Sequence, residues 1–146
     1  MTFPDIIGTW TLESYRLIGS RGRIRYPYGK DAAGYLLYLP DGFMAVSIMS
    51  SGRREWVGED IRRQTEHEAA AATRTYLSYC GTYEVLPDRV VHAIRTSLFP
   101  NWTGTRQERF YRLSGSCLEL STSPWDGERA EPRAHLQWRR ADHKPR

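Results

Sequence analysis

The chain has 146 residues and a formal charge of +4, long enough for one domain that buries roughly two-thirds of its unfolded surface. Its cations are scattered, in runs no longer than pairs such as Arg62 with Arg63, which argues against a nucleic-acid-binding face. No apolar run is long enough to span a bilayer, no basic and apolar leader opens the chain, and Cys80 and Cys117 stand too far apart for a CxxC element. A cytoplasmic protein with reduced thiols, and with no nucleic-acid or membrane partner, is expected.

In chain order, Gly8 to Ile18 alternates, with Trp10, Leu12 and Ser14 on one face and Thr11, Glu13 and Tyr15 on the other, the pattern of a strand. Gly19 to Gly34 holds four glycines, Pro27 and several arginines, so it reads as a long loop with room for a short edge strand near Ile24. Two β-rich runs from Gly34 to Met49 meet at Pro40, Asp41 and Gly42, a hairpin turn. A mobile connection from Ser50 to Arg63 follows, with Trp56 and Val57 isolated in it.

Thr65 with Glu68 forms a capping box ahead of four alanines, and Gly81 can stop the helix, so a helix is expected from Thr65 to Tyr79. Its apolar stripe would be Ala69, Ala72, Tyr76, Leu77 and Cys80, placing it outside a sheet or across a barrel mouth. From Cys80 to Leu113 the chain reads as a β-meander, turning at Pro87 and Asp88 and again through the rigid loop from Phe99 to Gly104. Cys117 to Thr122 alternates once more, a loop with Trp125, Asp126, Gly127 and Pro132 intervenes, and the last strand runs from Ala134 to Arg140. A frayed tail completes the chain.

Eight strands result, near residues 9–18, 35–39, 43–49, 81–86, 90–98, 105–113, 117–122 and 134–140, with one helix and no βαβ alternation. The expected fold is all-β: an eight-stranded antiparallel up-and-down barrel, with an open sandwich as the alternative. Within the meander His92, Ile94 and Thr96 share one strand face, and Arg106, Glu108, Phe110 and Arg112 share another. Polar and apolar residues mix on both faces, as expected where one side lines a partly polar cavity.

Several stretches together resemble the lipocalin-like domain proteins of bacteria and fungi. They are Gly8, Thr9 and Trp10; Tyr26, Pro27 and Gly29; the hairpin Gly34, Tyr35, Leu36 through Pro40, Asp41, Gly42; and Tyr79, Cys80, Gly81, Tyr83, Glu84, Val85 with His92. The most specific is Ser97, Leu98, Phe99, Pro100, Asn101, Trp102, Gly104, Thr105, with Trp138 and Arg139 closing the pattern. This resemblance implies a barrel with a central cavity and an association with secondary-metabolite or other small-molecule chemistry. Some proteins of this shape are carriers, and others catalyse cyclisation or isomerisation without a cofactor; it supplies no catalytic motif.

The leading expectation is a barrel that holds a small, largely apolar or polyketide-like molecule and promotes a redox-neutral cyclisation, isomerisation or dehydration. A non-catalytic carrier is the alternative, and a barrel filled by its own aromatics is a third. His92, as general acid or base, with Tyr38 and Tyr83 as phenolic donors, are the candidate proton-transfer groups. Their plainer reading is structural: a hydrogen-bonded strand histidine and two core tyrosines.

Candidate ligand contacts are Trp10, Met44, Val46, Ile94, Thr96, Trp102, Arg106, Glu108, Phe110 and Trp138. Arg106 and Glu108 read equally as a charge pattern on the barrel exterior, Trp102 as a structural corner or a gate at the rim, and Trp10 as a plug stacked with Arg139 or Arg140. The histidines His67, His92, His135 and His143 offer no ligand spacing for a metal, no phosphate loop is present, and no cofactor is expected; a haem on His92 or His135 is a minor alternative. A homodimer is a possible assembly.

Overall fold

The computed structural model describes residues 5–125 and 132–142. Expectations placed on the turn Asp126–Gly127, and on the tail from His143, lie outside the described residues. Strands β1 (Gly8–Ile18), β2 (Ile24–Arg25), β3 (Ala33–Tyr38) and β4 (Phe43–Met49) precede the helix α1 (Glu66–Arg74). After it come β5 (Tyr76–Val85), β6 (Arg89–Ser97), β7 (Arg106–Ser114), β8 (Cys117–Ser121) and β9 (Arg133–Arg140). Sequential strands pair antiparallel from β3 to β9, β1 pairs β3, and β1 also pairs β9 along most of its length. That last pairing closes an eight-stranded barrel, with the two-residue β2 attached to the end of β1.

Strand alternation builds the interior. In β4 the inward Met44, Val46 and Ile48 are buried, while Phe43 and Met49 face out, each buried side chain contributing about 1.5–3 kcal/mol. One end is sealed by Trp10, Leu118 and Trp138, all fully buried. The Arg140 guanidinium lies 4.3 Å from the centre of the Trp10 ring and donates to the carbonyls of Asp5 and Ile7, drawing the preceding segment across that end. The Trp10 indole N–H donates to the Ile6 carbonyl at 2.9 Å. Arg139, the other expected stacking partner, instead pairs with Glu13.

Two bulges decide which residues face in. Glu13 is the extra residue of β1 between Leu12 and Ser14, so Trp10 and Leu12 face the core, and then Tyr15 does. The alternation read from the sequence had put Tyr15 on the opposite face to Trp10. Arg95 is the extra residue of β6, opposite the step from Cys80 to Gly81, and it turns Thr96 outward onto exposed Cys80. A bulge adds one residue to a period of two, so everything beyond it changes sides. Gly81 is required there: a Cβ on it would stand 1.9 Å from the Ala93 carbonyl oxygen.

The helix is shorter than the alanine run and its flanks suggest. The capping box forms as expected, Glu68 N–H donating to Thr65 Oγ1 and Thr65 N–H to Glu68 Oε1, but α1 ends at Arg74. From Tyr76 the chain is strand, because Tyr76–Thr82 pairs residue for residue with β4. Without it the β4 edge would be left unpaired, a penalty larger than any local helix preference. Tyr76, Leu77 and Cys80 therefore belong to a strand rather than to a helical stripe, and Thr73 at the end of α1 borders the open mouth of the barrel.

Candidate functional site

At the centre of the barrel β3, β5 and β6 present Tyr38, Tyr79 and His92. The Tyr38 hydroxyl lies 2.7 Å from His92 Nε2, and the Tyr79 hydroxyl 2.7 Å from His92 Nδ1. His92 is 1% exposed, and its pKa is pushed down to about 3, chiefly by burial and then by the Arg109 guanidinium. At neutral pH the imidazole is therefore uncharged, with one nitrogen donating and the other accepting. Burial also raises the phenol pKa values of Tyr38 and Tyr79, so all three groups hold their protons without charge.

The direction of these bonds follows from satisfaction of the buried groups. Tyr38 is fully enclosed, and His92 is its hydroxyl's one hydrogen-bond partner among the described residues. Its proton thus goes to Nε2. The Nδ1–H then donates to Tyr79, whose own O–H is left to point into the cavity that Tyr79 lines. Tautomer assignment rests on this network, since an unmade buried bond costs about 1–3 kcal/mol.

That cavity has a volume of about 50 Å3 and is mainly apolar, bounded by Leu36, Val46, Ile48, Leu120, Leu136 and Trp138 with Tyr15, Tyr79, His92 and Arg109. Tyr15, Leu77 and Trp102 line both it and an outer recess of about 300 Å3, which adds Tyr28, Tyr76, Phe99 and Pro100. Trp102 sits on a single 3-10 turn, Pro100–Trp102, held by Thr105 Oγ1 donating to its carbonyl at 2.7 Å. Its ring stands edge-on to Tyr79, with centroids 5.8 Å apart. Tyr15 packs on Tyr28 at 5.3 Å. These aromatics form the partition between mouth and interior.

The candidate residues separate by where the barrel places them. His92, Val46, Trp102 and Trp138 line the cavity, and Tyr38 is buried behind His92, bonded to it but not lining the cavity. Trp10, Met44 and Ile94 are buried in the core beside it but do not line it. Tyr83 reaches Tyr38, ring to ring at 4.7 Å, yet its hydroxyl donates to the Leu39 carbonyl at 2.7 Å and not to His92; Tyr79 occupies the second position on the imidazole. Thr96, Arg106, Glu108 and Phe110 face out. Arg106 pairs with Glu84 and Glu108 with Arg89, while Phe110 lies under the Arg89 guanidinium at 4.8 Å.

The inward face of β7 is Gln107, Arg109, Tyr111 and Leu113, so Arg109 enters the cavity wall where Arg106 was expected. Sequence reasoning missed both Tyr79 and Arg109. Tyr79 was assigned to the helix. For Arg109 a signal existed, because its face carries Tyr111 and Leu113, whereas the opposite face ends on Arg112. Among the described residues no group of three or more His, Cys, Asp or Glu side chains is placed to hold a metal. No helix of the described residues is long and apolar enough to cross a membrane.

A closed antiparallel barrel with an internal cavity and an aromatic mouth agrees with the family comparison: a model described as a lipocalin-like domain matches residues 7–141. The chain belongs to this family. This lipocalin-like protein is also 37% identical over 107 residues to the 4'-hydroxy-3'-methoxypropiophenone carrier protein ppsC of Aspergillus oryzae, a match covering 66% of the present chain and 96% of the fungal one. Its barrel, Trp102 loop and interior histidine all fall inside the segment matched by the family model.

Proposed function

We propose that this protein binds a small aromatic ketone in the barrel and carries it without converting it. The observation that carries this reading is His92, locked between two hydroxyls with its pKa pushed to about 3. A general acid or base works best with a pKa near the operating pH, and here the imidazole stays neutral throughout the physiological range. What the triad supplies is a fixed donor, the Tyr79 O–H, for a ligand oxygen. An aryl ring fits the aromatic partition of Tyr15, Tyr28 and Trp102 by offset and edge-on packing.

Similarity to a protein named as a carrier of a methoxylated hydroxypropiophenone supports the same ligand class. The cavity alone, at about 50 Å3, is smaller than ordinary ligand sites of roughly 300–1,000 Å3. An aryl ketone therefore occupies the recess as well as the cavity and displaces Trp102 or Tyr15 as it enters. Catalysis of a redox-neutral rearrangement is the competing reading. To separate the two, the protein is incubated with 4'-hydroxy-3'-methoxypropiophenone and, separately, with a metabolite extract, and both bound and free fractions are weighed by mass spectrometry. Retention of a compound at unchanged mass, with Trp102→Ala releasing it faster, is the expected result. Appearance of a new product that requires the protein would overturn the carrier reading.

A further inference from the structure

The cavity wall contains a cation with no counter-charge. Arg109 has no carboxylate within 4 Å among the described residues; the carboxylates of the neighbouring strands pair elsewhere, Glu119 with His135 and Glu108, which turns outward, with Arg89. One of its nitrogens donates to the Glu108 carbonyl at 2.8 Å. The titratable groups that feel its charge come from four strands: Tyr15 on β1, Tyr38 on β3, Tyr79 on β5 and His92 on β6. None of them carries a compensating negative charge, although the Tyr79 hydroxyl oxygen accepts a hydrogen bond from the guanidinium. All three phenols are pushed up by burial and stay protonated, and the imidazole is neutral. Residues facing it from β8 and β9, such as Leu120, Leu136 and Trp138, carry no charge.

A guanidinium in a largely apolar cavity is stabilised by an anion, and charge-assisted bonds to it are about twice as strong as neutral ones. The other polar groups are biased the same way. Tyr79 has a proton to donate, and the fully buried Trp138, which also lines the cavity, has an indole N–H without a partner among the described residues. Thr122, which also lines it, already accepts from the Ala134 N–H. The wall is rich in donors and poor in free acceptors.

Resting on the aryl ketone reading above, we infer that the ligand is bound as an anion, a phenolate whose negative oxygen pairs with the Arg109 guanidinium. A phenol conjugated to a ketone is a stronger acid than tyrosine, because its anion delocalises onto the carbonyl. It is therefore the group that ionises first in this cavity, ahead of Tyr15, Tyr38 and Tyr79. Binding lowers the ligand's pKa. Affinity then rises with pH between the bound and the free pKa of the ligand and levels off above the free value.

The test uses two probes, 4'-hydroxy-3'-methoxypropiophenone and its 4'-methyl ether, which cannot ionise. Absorbance and affinity are measured with the intact protein, Arg109→Gln and Arg109→Lys at a pH below the free phenol's pKa. The phenol is expected to show its long-wavelength phenolate band when bound, to lose that band and about tenfold in affinity with Arg109→Gln, and to recover part of both with Arg109→Lys. The ether is expected to bind all three proteins equally. Phenol binding without the band, and with equal affinity for Arg109→Gln, would overturn the inference while leaving the aryl ketone reading intact. If neither probe binds the intact protein, both are overturned together. Recovery with Arg109→Lys also separates loss of charge from loss of fold.

Discussion

Two histidines lie on opposite faces of the barrel wall, His92 on the inside of β6 and His135 on the outside of β9, and their surroundings differ in kind. His92 lies between neutral hydroxyls, so nothing offsets the penalty of burying its charged form. His135 lies between charges: Arg16 Nη2 donates to its Nδ1 at 2.7 Å, and Glu119 Oε1 stands 3.6 Å from its Nε2. Its pKa is lowered too, by burial first and then by Arg16, but the Glu119 carboxylate pulls it back up. The difference teaches that the same side chain becomes a fixed neutral hydrogen-bond relay when its partners are phenols. Where its partners are ions it becomes part of an electrostatic clasp. Only the first is open to a ligand.

Acid sharpens this comparison most. The folded pKa of His92 is depressed from 6.5 to about 3, so between those values the unfolded chain takes up a proton that the folded one refuses. Stability from this group is full above pH 6.5 and is lost as pH falls toward 3, by on the order of 5 kcal/mol in total. Denaturant titrations across that window should show His92→Gln losing much less stability with acid than the native protein. Parallel pH profiles for the two would break the contrast, by showing that His92 is not held neutral.

A smaller effect distinguishes the two tyrosines. Tyr38→Phe leaves His92 Nε2 without its donor in a sealed space and should cost about 1–3 kcal/mol of stability. Tyr79→Phe leaves the Nδ1–H facing a cavity that water or ligand can reach, so its stability cost should be nearer 1 kcal/mol. Its effect should fall instead on affinity for an aryl ketone, weakened by about fivefold to tenfold. Equal stability losses for the two variants would refute the bond directions assigned here.

The smallest change is expected on the outside. Glu119→Gln removes the influence among the described residues that raises the His135 pKa, so an NMR titration should find that histidine moved further down. Stability near neutral pH should change by less than about 1 kcal/mol, with no effect on ligand binding. An upward shift would mean that Glu119 does not act on His135.

Local chemistry by itself determined the strands, the Pro40–Gly42 hairpin turn, the Thr65–Glu68 capping box and the meander around His92. Each depends on neighbours a few residues away and on a period of two, and all are present in the fold. The resemblance carried by the Phe99–Gly104 loop extended that reading to a closed barrel. Tertiary structure alone decided where Tyr76–Cys80 would go, because pairing with β4 outweighed the alanine-rich helix beside it. It also decided which side chains meet inside. The bulges at Glu13 and Arg95, where the register of the paired strands shifts, moved Tyr15 in and Thr96 out. Tyr79 reached His92, and Arg109 rather than Arg106 entered the cavity, because register with β4, β6 and β8 is a property of the closed sheet and of no single segment.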